Sequence, residues 1–235
     1  MSKTIFSIKI HVNTFSEENY TMNQREFNKT DEIMLNMDRV LRTLFGKPKT
    51  TNRSNPSINL KDIDLSNKEK DHIARLMRIN HTGEVCAQAL YQGQALTARD
   101  SETKLNMQKS ADEENDHLQW CEQRIKELDG RPSLLNPIWY AGSLLIGLTA
   151  GAMGDKWSLG FVAETEKQVK DHLEKHINQL PEDDQRTAEI LKQMIADEEE
   201  HGKKAIEHGG ADLPKPFKLF MKLTSKIMTK AVYRI

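Results

Sequence analysis

From residue 66 onward, apolar side chains recur at three- and four-residue steps, the spacing that lines one face of an α-helix. The pattern predicts helices over 66–98, 102–128, 157–180 and 183–208, an apolar helical segment over 134–153, and an amphipathic helix over 217–233. Local signals place the ends. Ser66-Asn-Lys-Glu69 is a capping box, Asp129-Gly-Arg-Pro132 stops the second helix, Pro181 the fourth, and Gly209-Gly210 the fifth. Before these lie a short amphipathic stretch at 34–45 and a loop at 46–64 rich in Pro, Asn, Ser and Lys. No stretch alternates like a strand, so the expected fold is all-α: a four-helix bundle with an added apolar helix and a C-terminal amphipathic helix. Residues 34–235 are expected to form one domain, and 1–33 a poorly ordered extension.

Four of the stripes are interrupted at one position each. Glu84 falls in the line Ile73, Met77, Asn80, Ala87, Tyr91; Glu114 in Met107, Ala111, Leu118, Cys121, Ile125. Glu166 falls in Leu159, Val162, Val169, Leu173, Ile177; Glu198 in Leu191, Met194, His201, Ala205. A carboxylate aimed into an apolar core is costly unless it is paired or bound to a cation. The interval repeats too, 30 residues from Glu84 to Glu114 and 32 from Glu166 to Glu198. His117 and His201 each stand three residues after the second glutamate, on the same helix face. A Glu helix followed by a Glu-x-x-His helix, twice over, is the ligand pattern of carboxylate-bridged dinuclear sites in bundles.

The pattern is not specific by itself. Glu69-Lys-Asp-His72 is a third copy, but Glu69 is explained by the capping box and Arg39 stands where its partner glutamate would be. In the fourth helix Glu164 competes with Glu166 but points away from the stripe, so Glu166 is the expected ligand. His172, at the stripe's edge, is either solvent-facing or a substrate- and proton-handling residue; His81 is either an outer support of the site or a core histidine. Four carboxylates and two imidazoles without a thiolate suit iron or manganese over structural zinc, and iron suits dioxygen chemistry. Two iron ions per chain are therefore expected.

Composition narrows the partners. The net charge of −1 offers no overall field for nucleic acid. Cys86 and Cys121 have no metal or redox spacing and are read as reduced thiols. The first 30 residues lack a continuous apolar run and a small-residue cleavage site, so a secretory leader is not expected. No phosphate- or dinucleotide-binding glycine motif is present. Residues 132–154 contain no charge, but their glycines and polar residues argue against a span, and an apolar hairpin dipping into one leaflet is preferred to the alternative, a plain buried helix. Lys218, Lys222, Lys226 and Lys230 form a line on the last helix opposite Phe217, Phe220, Ile227 and Met228, a pattern suited to an anionic lipid surface.

The string Arg78-Ile-Asn-His-Thr-Gly-Glu-Val-Cys-Ala-Gln-Ala-Leu-Tyr-Gln-Gly-Gln94 resembles the first ligand helix of the demethoxyubiquinone hydroxylase family. Trp139-Tyr-Ala-Gly, Gly154-Asp-Lys-Trp-Ser-Leu-Gly-Phe-Val-Ala-Glu-Thr-Glu166 and the ending Ala-Val-Tyr-Arg-Ile235 resemble its bacterial branch. The resemblance covers 34–235, with Thr82 where the family pattern leads one to expect Ala. It implies a ferritin-like di-iron monooxygenase that hydroxylates a polyprenylated methoxy-benzoquinol with O2 in ubiquinone biosynthesis. The family's ligands fall on Glu84, Glu114, His117, Glu166, Glu198 and His201. The expected setting is peripheral, on the cytoplasmic face of the inner membrane, with other ubiquinone-biosynthesis proteins as partners the resemblance suggests; the sequence leaves the oligomeric state open, a homo-oligomer among the options. Two rivals share parts of the pattern: a ferritin-like iron-oxidising or storage protein, and a non-catalytic quinone-binding protein at the membrane surface.

Overall fold

A computed structural model describes residues 28–235. It contains α1 (Lys29–Phe45), α2 (Asn67–Thr97), α3 (Ser101–Glu127), α4 (Asn136–Ala152), α5 (Asp155–Ile177), α6 (Gln185–Glu207) and α7 (Lys215–Val232), and no strand among the described residues. The Ser66 box forms as read, with the Glu69 carboxylate accepting the Ser66 amide at 2.8 Å.

Helices α2, α3, α5 and α6 form the bundle, and two apolar layers hold it. The first layer takes Ile73 and Met77 from α2, Trp120, Cys121 and Ile125 from α3, Leu173 from α5, and Ile190, Leu191 and Met194 from α6. The second takes Ala87 and Tyr91, Met107, Leu159 and Val162, and Ala205 from the same four helices. Burying each large apolar side chain contributes roughly 1.5–3 kcal/mol. In every helix the interrupting glutamate lies, in sequence, between its contributions to the two layers. The polar positions therefore form a slice across the bundle with apolar packing on both sides.

The apolar segment is not a hairpin. It is the single helix α4, packed along α2, and its glycines are contact points rather than bends. A Cβ on Gly93 would sit 2.6 Å from the Leu144 oxygen, and one on Gly147 would strike the Leu90 carbonyl. The chain turns only at Gly154, whose φ of 110° favours glycine, before entering α5. No helix among the described residues is long and apolar enough to cross a membrane.

The expected boundary at residue 34 falls inside α1. That helix starts at Lys29 because Asn28 and Asp31 cap it reciprocally, at 3.0 and 3.1 Å. Residues 1–27, where the rest of the expected extension falls, lie outside the described residues. Cys86 and Cys121 are both free.

Candidate metal centre

The slice gathers Glu84 of α2, Glu114 and His117 of α3 and Glu198 of α6, all buried, with potential ligand atoms within 4.8 Å of one another. His117 Nδ1 lies 2.8 Å from Glu114 Oε2, 3.4 Å from Glu198 Oε1 and 3.9 Å from Glu84 Oε2. His201 joins from the other side: its Nδ1 is 2.9 Å from Glu114 Oε1 and 3.6 Å from Glu198 Oε2. Glu166 is also buried but turns to Tyr91, whose hydroxyl donates to its Oε1 at 2.5 Å. Glu164 stays out, 3.4 Å from Lys218 Nζ. His72 is elsewhere, 2.9 Å from the Tyr233 hydroxyl, so the third Glu-x-x-His is not part of the centre.

Burial and crowding set the charges. Burial, with the Glu114 and Glu198 charges, pushes the Glu84 carboxyl well above the usual range. Burial and the Glu198 and Glu114 charges do the same to Glu166. Burial opposes ionisation of Glu114 too, but His117 and His201 hold it well below its ordinary value. Burial alone would neutralise the imidazoles; the surrounding carboxylates instead raise His117 well above 6.5 and His201 to about 12. Protons thus do the balancing here, and a cation taken up in their place would release them.

Of the ten buried side-chain atoms without a well-formed hydrogen bond among the described residues, three lie here: Glu114 Oε1, Glu198 Oε2 and His201 Nδ1. A buried unpaired polar atom costs about 1–3 kcal/mol. A cation in the cluster would satisfy these three together. The donor set therefore fits a carboxylate- and imidazole-bound metal.

The outer supports were missed in the sequence. His117 Nε2 is 2.8 Å from Asp197 Oδ2, and His201 Nε2 is 2.7 Å from Glu113 Oε2. Each imidazole is held by the acid that precedes the ligand glutamate on the opposite Glu-x-x-His helix. The signal was present as acid-Glu-x-x-His in both helices, Glu113-Glu114 and Asp197-Glu198. Such contacts orient ligating imidazoles and fix which nitrogen faces the metal.

Glu84 also lines a groove of about 170 Å³ walled by Leu90, Trp139, Ile146, Phe161, Val169 and Met228 among others. His172 stands in this wall, half-buried. Its Nε2 is buried without a partner among the described residues, and burial lowers it to about 4. His176, also missed, packs 4.0 Å from it and meets Asn80 Oδ1 at 2.8 Å. His81 is a core residue, 3.4 Å from Asn136 Nδ2 and lowered by burial to about 4. Thr82 donates to Asn136 Oδ1 at 2.8 Å, which gives the unexpected hydroxyl a partner.

A doubled Glu and Glu-x-x-His set buried in a four-helix bundle defines the ferritin-like carboxylate class. The bacterioferritin-related protein of Bacteroides fragilis, described as a dodecameric thioferritin, superimposes with a TM-score of 0.50 at 22% identity, over 61% of this chain and 85% of that one. This likeness supports the fold alone. The profile of the family described as ubiquinone biosynthesis protein COQ7 matches residues 71–232, and the chain belongs to that family. The 3-demethoxyubiquinol 3-hydroxylase of Dechloromonas aromatica (strain RCB) is 52% identical over 204 residues, 87% of this chain and 98% of that protein. The protein of the same name from Legionella pneumophila (strain Paris) is 55% identical over 206 residues, 87% and 97% respectively.

Proposed function

We propose that this chain is an O2-dependent hydroxylase of the demethoxyubiquinol ring, acting in ubiquinone biosynthesis. Glu84, Glu114, His117, Glu166, Glu198 and His201 would hold two iron ions. The observation that carries the reading is the double position of Glu84, in the carboxylate–imidazole cluster and in the wall of the apolar groove. A substrate in that groove meets the centre directly.

When bound, the irons supply reductive activation of dioxygen. The chain supplies the rest. Asp197 and Glu113 accept from the outer nitrogens of His117 and His201, which leaves each Nδ1 facing the cluster. The groove's side chains would exclude water around an aromatic ring and its prenyl tail. His172 Nε2, neutral and unpartnered in the wall, is placed to hydrogen-bond a ring hydroxyl and to handle its proton.

The test is turnover of a demethoxy-quinol analogue by the iron-loaded chain with a reductant and O2. Ring-hydroxylated product is expected; two irons bound without product would reject the enzyme and leave an iron-storage or quinone-binding role.

The setting proposed is peripheral, on the cytoplasmic face of the inner membrane. Its support is an exposed apolar surface shared by α4 and α7, with Ile138, Leu145, Phe220, Leu223 and Ile227 outward. Lys222, Lys226 and Lys230 stand exposed beside it. Changing Lys222, Lys226 and Lys230 to Glu should weaken partitioning onto anionic liposomes, read by flotation, by about a hundredfold or more, at about 1 kcal/mol per lost cation. Undiminished flotation would exclude α7 as the anchor.

A further inference from the structure

The two halves of the centre are near copies in sequence, yet one is fastened from outside and the other is not. Between α1 and α2 the chain crosses α3 as a strap. Asn52 in this strap takes φ 67°, a conformation Asn tolerates well, and the residues on either side of it both reach Asp116. The Thr51 amide donates to Asp116 Oδ1 at 2.8 Å, the Thr51 hydroxyl donates to Oδ2, and Arg53 Nε donates to Oδ2 at 2.8 Å. The Asp116 side chain is fully buried and the Arg53 side chain is 34% exposed. Arg53 also lies over the Trp120 ring, 5.1 Å from its centroid. So held, its Nη1 donates to Asp197 Oδ2 at 2.8 Å, and the same oxygen is 2.8 Å from His117 Nε2.

The His201 half has no counterpart. Glu113 Oε2 meets His201 Nε2, but no cationic side chain among the described residues pairs with the Glu113 carboxylate. Arg53 reaches only its backbone oxygen, at 3.5 Å.

We infer that Arg53 is a positioning residue that fixes Asp197 against His117 and makes the two metal positions unequal, the His117 side binding first and more tightly. The inference rests on the metal-centre reading above. Arg53 acts through Asp197 and touches no proposed ligand. Outer supports of this kind change metal affinity by about 10–100-fold. Their asymmetry gives the centre one firmly held ion and one exchangeable ion.

The test is anaerobic titration of the metal-free full chain with Co2+, read by calorimetry and by the ligand-field absorption of the bound ion. The wild type should show two ions in two resolved steps. Arg53→Met should weaken the tighter step by about tenfold or more and shift its absorption, leaving the weaker step unchanged. Arg53→Lys should restore part of the loss, and Glu113→Gln should weaken only the second step. Because Arg53 acts through Asp197, adding Arg53→Met to Asp197→Asn should cost nothing further. Two wild-type ions in a single indistinguishable step, or an Arg53→Met variant that weakens both steps alike or neither, would overturn the inference. A wild-type chain that binds no ion would overturn the metal-centre reading itself.

Discussion

Two pairs of histidines stand on either side of Glu84, and their surroundings are opposite. His117 and His201 meet a carboxylate at both ring nitrogens, and those acids hold the imidazoles charged against the cost of burial. His172 and His176 pack against each other, with only the neutral Asn80 amide as a close partner, and burial lowers them to about 4 and about 3. One residue type thus serves two chemistries. Among carboxylates it joins a charge-dense cluster that a metal can neutralise. Among apolar side chains it stays an uncharged hydrogen-bonding wall beside a lipid-like substrate. On the function proposed, the first region would handle oxygen and the second the ring.

Breaking the first region should have the largest effect. Glu166→Ala should remove bound metal and lower kcat/KM at least about hundredfold, more than the loss of an outer support. Glu164→Ala, whose carboxylate faces Lys218, should leave metal content and rate within about twofold. Metal analysis with steady-state kinetics separates the two, and the reverse ranking would disprove the assignment.

In the second region the effect should be smaller and of a different kind. His172→Phe should keep both metals yet lower kcat by about a hundredfold, the low end of what loss of a proton-handling group costs. An unchanged kcat would reduce His172 to packing.

The smallest effect is on stability. His176 has its folded pKa, about 3, below its ordinary 6.5. Its neutral form therefore contributes fully above about pH 6.5, and the contribution is lost as the pH falls toward 3. Thermal melts of the metal-free chain should show a shallower decline between pH 6.5 and 4.5 for His176→Phe than for wild type. Parallel curves would show that His176 is not buried neutral.

Much of this was readable in the chain because the signals are periodic. The stripes fixed which glutamate of α5 turns inward, since Glu164 and Glu166 lie on different helix faces. Each helix of the bundle ends within a few residues of its cap or its proline or glycine stop. What escaped was set by contacts between segments distant in sequence. Arg53 lies in a stretch that reads only as loop, and its role exists only because the strap crosses α3 beside α6. Asp197 and Glu113 lie beside the stripes rather than on them, and only the folded bundle brings each to the opposite imidazole. The glycines of α4 read as breaks in an apolar segment, whereas they allow a straight helix to lie close on α2. The Asn28–Asp31 cap of α1 was present in the sequence, but no long apolar stripe follows it to draw attention.

The central claim is that one buried slice of the bundle holds two metal ions. Crystals of the iron-loaded chain measured at the iron absorption edge address it directly. The account predicts two anomalous peaks, both enclosed by Glu84, Glu114, His117, Glu166, Glu198 and His201. A single peak, or peaks outside that set, would contradict it.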